Sequence, residues 1–183
     1  ADACARSPKG LLPVHAAAEG GAWAVLELLF GARADLAATD ARGRTAAEVA
    51  AEFGHTDVLR ALARRCLGIW DGGQLHHPAR AAVEFGQVGA LELLVQLHGR
   101  ELVHLPVAEG GQLVHLAAAR GQQEVLDVLL LCRAEVEARS SSRAATPLML
   151  AASTGRKPMV RHLLERHGAD VAAADGGGRT ALQ

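Results

Sequence analysis

The sequence predicts an all-α solenoid, built from stacked helix-turn-helix units joined by short hairpins, and three observations predict it. Small-residue segments ending in Gly recur as "HAAAEGG" (15–21), "VAAEFG" (49–54), "AAVEFG" (81–86), "LAAARG" (116–121) and "LAASTG" (150–155). Their last glycines, Gly21, Gly54, Gly86, Gly121 and Gly155, are spaced by 33, 32, 35 and 34 residues, a period that marks a repeat architecture. Each glycine is followed by a second apolar segment at helical spacing, and Asp- and Gly-containing stretches separate the units.

In chain order, the first unit opens with "LPVH" (12–15) and continues with "AVLELL" (24–29). The second helices of later units are "DVLRAL" (57–62), "ALELLV" (90–95), "EVLDVLL" (124–130) and "MVRHLL" (159–164). First helices open at "HPAR" (77–80) and "TPLM" (146–149) as well; Pro at a first helical position costs nothing, because that amide has no intrahelical partner. Connectors such as "RADLAATDARGRT" (33–45) and "GADVAAADGGGRT" (168–180) carry the chemistry of a hairpin turn. The units run over about 7–39, 40–71, 72–106, 107–140 and 141–174, with 175–183 beginning a sixth. Both ends of the sequence fall inside a unit, so further sequence is expected on each side.

One unit cannot bury its own apolar face, whereas stacking creates a continuous core between helix layers. Ala117, Ala118, Ala151 and Ala152 suit that packing, since methyl side chains let neighbouring first helices approach closely. Two connectors depart from the pattern, "ARRCLGIWDGGQLHH" (63–77) and the longer "LHGRELVHLPVAEGG" (97–111).

Half of the chain is apolar, dominated by Ala, Leu and Val, while aromatics make up 3% and Tyr is missing. A core of large rings is excluded. With a formal net charge of -1 and interspersed signs, no field draws nucleic acid or an anionic membrane. Cys4, Cys66 and Cys132 are odd in number and far apart, which suits a reducing compartment. An intracellular, most simply cytoplasmic, protein is expected, with organelle import left open because the natural N-terminus is expected upstream. No run is long enough to span a bilayer: "VLDVLLLC" (125–132) is short and interrupted by Asp127.

The unit resembles the ankyrin repeat, on "TPLMLAASTG" (146–155) and "GADVAA" (168–173) above all. That resemblance implies a hairpin followed by two antiparallel helices. The resembled unit ends its second helix with Gly before Ala-Asp; Gly168 keeps this residue, but Arg33 and Arg133 replace it, and a left-handed non-Gly residue there should cost about 1 kcal/mol. His15 and His115 match the His of the family's Thr-Pro-Leu-His motif, and His55 the His of its Gly-His pair. All three are expected to be structural hydrogen-bonders.

No residue set points to catalysis. Ser140, Ser141 and Ser142 lie in a polar turn without a nucleophile context and are expected to be solvated. "DGGGRT" (175–180) lacks the Lys and the strand of a phosphate loop. Cys66, His76 and His77 offer zinc-type donors without a fourth ligand. The expectation is a non-enzymatic protein without metal or cofactor.

Function is then sought on a surface. The resemblance implies a concave groove that binds a protein partner with hairpin tips and the exposed side of the first helices. At the helix ends it is lined by Glu19, Glu52, Phe53, Glu84, Phe85, Arg120, Ser153 and Thr154, and at the tips by Lys9, Leu11, Arg42, Arg44, Gln74, His76, Glu109 and Arg143. Glu19, Glu52 and Glu84 read as an acidic ladder accompanied by two rings, which either bind a partner or pack on the next unit. The alternative is a structural subunit of a large assembly, contacting it through helix backs or array ends.

Overall fold

The computed structural model describes residues 11–65, 76–107 and 110–182. Lys9, Cys66, Gln74 and Glu109, with the side chains of His76 and His77, lie outside the described residues. The chain divides into two compact units, Ala1–Leu93 and Leu94–Gln183.

In the first unit α1 (Pro13–Glu19), α3 (Ala46–Glu52) and α5 (His76–Glu84) are first helices, while α2 (Trp23–Gly31) and α4 (Thr56–Arg65) are the second helices that fold back on α1 and α3. Helix α3 packs between α1 and α5, and α2 packs on α4. Close approach is possible because Ala17, Ala18, Ala50, Ala51, Ala79 and Ala82 are buried at these faces. Leu26 of α2 and Leu59 and Leu62 of α4 close the layer, each contributing about 1.5–3 kcal/mol by leaving water. Helix α6 (Val88–His98) carries the division between the units.

The second unit repeats the scheme. Helices α7 (Leu113–Arg120) and α9 (Pro147–Ser153) pack side by side, with α8 (Gln123–Leu131) folded back on α7 and α10 (Lys157–His167) on α9. Its core holds Leu113, Leu126, Leu129, Leu148, Met159 and Leu163 with Ala117, Ala118 and Ala151, whereas Ala152 is half-buried. The long connector of 97–111 contains a 3-10 helix, Arg100–His104, and its Pro106 forms an antiparallel bridge with Gln112.

Helix starts follow local chemistry. Pro13 and Pro147 stand at first-turn positions. The Thr45 hydroxyl accepts from the Glu48 N–H at 3.3 Å, and the Glu48 carboxylate accepts from the Thr45 N–H at 2.7 Å, a reciprocal capping box. Helix ends follow it too: Gly168 is left-handed with φ 63°, and Arg33 and Arg133 adopt φ 57° and 74° as expected of residues replacing a glycine.

The connectors are turns rather than ladders. Among the described residues no strand forms, and three tips are each closed by a pair of backbone bonds: Asp40 N–H to Arg44 O at 2.9 Å with Gly43 N–H to Asp40 O at 3.0 Å, Ser140 N–H to Ala145 O at 3.0 Å with Ala144 N–H to Ser140 O at 2.8 Å, and Asp175 N–H to Arg179 O at 2.8 Å with Gly178 N–H to Asp175 O at 3.0 Å. Asp40 explains the sufficiency of so little backbone pairing: its Oδ1 accepts from the Arg42 and Arg44 amides and its Oδ2 from the Arg44 guanidinium. Asp175 repeats this with Gly177 and Arg179. Among the described residues no helix is long and apolar enough to cross a membrane.

Candidate protein-binding surface

Two neighbouring helix ends in the first unit place Phe53 and Phe85. After α3, the Gly54 N–H donates to Ala51 O at 3.3 Å and the His55 N–H to Ala50 O at 2.9 Å; after α5, Gly86 and Gln87 make the same pair of bonds to Val83 and Ala82. This double bond closes a helix only with a left-handed residue at the turn, and Gly54 has φ 75°. The residue before the glycine is thereby turned outward. Phe53 is 46% and Phe85 50% exposed, so each residue keeps about half of its surface open to solvent. Phe53 stacks on His55, with ring centroids 6.3 Å apart and planes 13° from parallel.

The same turns hold neighbouring repeats together. His55 Nε2 donates to Glu19 O at 2.9 Å, Gln87 Nε2 to Glu52 O at 2.9 Å, and Arg156 Nε to Ala119 O at 3.1 Å. In each case the residue after a repeat glycine reaches the carbonyl two residues before the previous one. That previous glycine must leave room: a Cβ on Gly21 would lie 2.8 Å from the His55 ring, and one on Gly54 would overlap the Gln87 amide.

Charge on this face is partly paired. Arg44 bridges Asp40, at 2.8 Å, and Glu52, so Arg44 is a brace inside the repeat, only partly presented to solvent. Burial works against the ionisation of Asp40, but hydrogen bonds from Arg44 and Arg42 outweigh it and hold the carboxyl below its usual range. Glu84 pairs with Arg80 at 3.5 Å. The acidic ladder thus has Glu52 and Glu84 in ion pairs, while Glu19 and Arg42 are exposed and Leu11 is half-buried.

In the second unit Arg120 and Arg143 are exposed. The hydroxyls of Ser153 and Thr154 turn back on their own helix, donating to Leu150 O at 3.1 and 2.7 Å; they terminate α9. Ser140 corrects the expectation of a solvated serine turn. It is buried, and its Oγ accepts from the Ala145 N–H at 3.1 Å, filling the place that Asp40 and Asp175 hold in the other tips. Ser141 is exposed and its Oγ donates to Gly110 O at 3.1 Å.

The three histidines read as structural make structural bonds. His15 Nε2 lies 2.9 Å from Arg44 O, and His55 makes the bond to Glu19 already described. His115 Nδ1 accepts from the Gln112 N–H at 3.1 Å, so its Nε2 carries the proton and donates to Ala138 O and Ala145 O at 3.0 and 3.1 Å. Burial lowers the His115 pKa, and the two carbonyl bonds recover only part of this.

One cluster was not legible in the sequence. Asp127 Oδ1 lies 2.7 Å from both His162 Nε2 and His167 Nε2, on α8 and α10. Burial opposes ionisation of Asp127, but the hydrogen bonds from both histidines, with the charge of Arg166, prevail and lower its pKa. The one available signal was the repeat itself, because Asp127 and His162 are 35 residues apart and residues one period apart lie side by side.

Two family models of ankyrin repeats match the chain, one described as many copies over residues 14–63 and one as three copies over residues 114–183. No curated protein matches it. The matched segments take in nearly all of α1–α4 and α7–α10, the helix pairs that stack within each unit. Ankyrin repeats are generally protein–protein interaction modules, and the family is typically non-enzymatic. Periodic helix pairs, glycine turns, His-bonded tips and both matched segments agree: the chain belongs to the ankyrin-repeat family.

Proposed function

We propose that this chain is a non-enzymatic module of five ankyrin repeats that binds a protein partner on the groove side, at the ends of its first helices, with Phe53 and Phe85 at the centre of the contact. The observation that carries the reading is the exposure of both rings at equivalent positions of successive first helices, α3 and α5. Aromatic side chains at the centre of an interface dominate affinity, each costing about 2 kcal/mol or more on truncation. Glu52, which shares Arg44 with Asp40, and Glu84, paired with Arg80, frame the rings with ion-paired carboxylates, while the exposed rings themselves favour a partner that offers apolar side chains.

A second reading rests on α2, where Trp23, Val25 and Leu28 are exposed, Leu28 at 75%. An assembly seated on helix backs would cover these residues instead. Capture of partners from native extract separates the two readings. Phe53→Ala plus Phe85→Ala should abolish recovery of the specific partner, while Trp23→Ala plus Leu28→Ala should leave it intact. Undiminished capture by the Phe double variant overturns the groove-side reading.

A further inference from the structure

The cluster on α8 and α10 has the donors and spacing of a metal site. Asp127 offers a carboxylate oxygen, and His162 and His167 each offer Nε2, all three atoms lying within 4.8 Å of one another. The two Nε2 atoms are 3.4 Å apart. Four-coordinate zinc with Zn–N of about 2.0–2.1 Å sets its donors about 3.3–3.4 Å apart, so the imidazoles already stand at a tetrahedral edge. Their rings meet edge to face, at 68° with centroids 5.0 Å apart, and both Nε2 atoms converge on the same Asp127 oxygen. We infer that Asp127, His162 and His167 form a zinc site that staples the outer helices of two successive repeats.

The remaining geometry fits this use. Each Nε2 now lies 2.7 Å from Asp127 Oδ1, a hydrogen-bond distance that must open by about 0.6 Å to admit the ion. Both imidazoles then carry their proton on Nδ1 and present the Nε2 lone pair. Asp127 Oδ2 lies 3.5 Å from the Arg166 guanidinium, so that oxygen has its own partner and Oδ1 is directed to the metal. The three side chains keep 12–23% of their surface exposed, enough for water to complete the coordination. Rigid backing comes from Leu126 and Leu129 beside Asp127 and from Leu163 beside His162, all fully buried. Imidazole nitrogens with a carboxylate suit zinc and other late divalent metals, and poorly suit Mg2+ or Ca2+.

The test uses the whole chain, stripped with chelator, and ZnCl2 or CoCl2 alone. Calorimetry should give one tight zinc equivalent, and cobalt should give the visible absorption of a four-coordinate ion with nitrogen ligands. Asp127→Asn and His167→Ala should each weaken zinc binding at least about tenfold, and His104→Ala should not. Zinc should raise the unfolding midpoint of the wild type but not of these two variants. Circular dichroism checks that the variants fold; should they not, a cobalt spectrum that persists in Cys66→Ala and in His76→Ala plus His77→Ala supports the site, and one lost in either overturns it. Absence of a four-coordinate spectrum in the wild type, or zinc uptake undiminished in folded Asp127→Asn and His167→Ala, overturns the site.

Discussion

His115 shows how a single side chain can couple this fold to pH. Its Nδ1 accepts a backbone N–H while its Nε2–H serves two carbonyls, an arrangement that only the neutral ring can make. Its pKa is lowered from 6.5 by burial. The unfolded chain therefore binds the proton more readily, and the stabilisation is fully present above 6.5 and declines as pH falls below it towards the lowered folded value. Denaturation followed from pH 7.5 down to pH 5 should show this loss, and His115→Gln should reduce the slope; an unchanged slope would contradict the assignment. Gly54 makes a second case. Gly43 and Gly54 share φ 75°, but a Cβ meets nothing at Gly43 and meets Gln87 at Gly54. Gly43→Ala should cost about 1 kcal/mol. Gly54→Ala should exceed it by about another 1 kcal/mol, because the Gln87 bond to Glu52 O is lost with it. Equal losses in chemical denaturation would remove the contact from the explanation.

At the scale of the element, the helices were legible and the side-chain pairings were not. The repeat glycines and the apolar segments after them located α1 to α10 because a helix is specified locally, by periodicity and by its caps. Arg33 and Arg133 were legible as strained caps for the same reason, and both are left-handed. Arg33→Gly and Arg133→Gly should each stabilise the chain by about 0.5–1 kcal/mol, read as a higher denaturant midpoint at constant slope. A loss of stability in both would show that the arginines do more at these caps than tolerate strain. Arg44, in contrast, looked like a surface residue at a tip, and Ser140 like a solvated one. Both are spent inside their repeats, a fact that depends on how the chain folds back several residues later. Asp127 with His162 and His167 is harder still, since its members meet only through the register of stacked repeats.

For the molecule, the family is one whose repeats are generally protein–protein interaction modules, and the proposed place of contact rests on the surface. On the candidate groove side the rings of Phe53 and Phe85 are exposed, whereas Glu52, Glu84, Ser153 and Thr154 are tied to neighbours. Binding energy is then expected from apolar contact, with modest dependence on salt. The chain has only three phenylalanines, and the third, Phe30, lies on α2 beneath the Arg65 guanidinium, 5.6 Å from its ring centroid. Fluorophenylalanine labelling therefore gives one 19F resonance for each ring, assignable by single replacement. On titration with the captured partner, the account predicts that the Phe53 and Phe85 resonances shift or broaden while that of Phe30 stays. Movement of Phe30 with Phe53 and Phe85 unchanged would contradict it and place the partner on the helix backs.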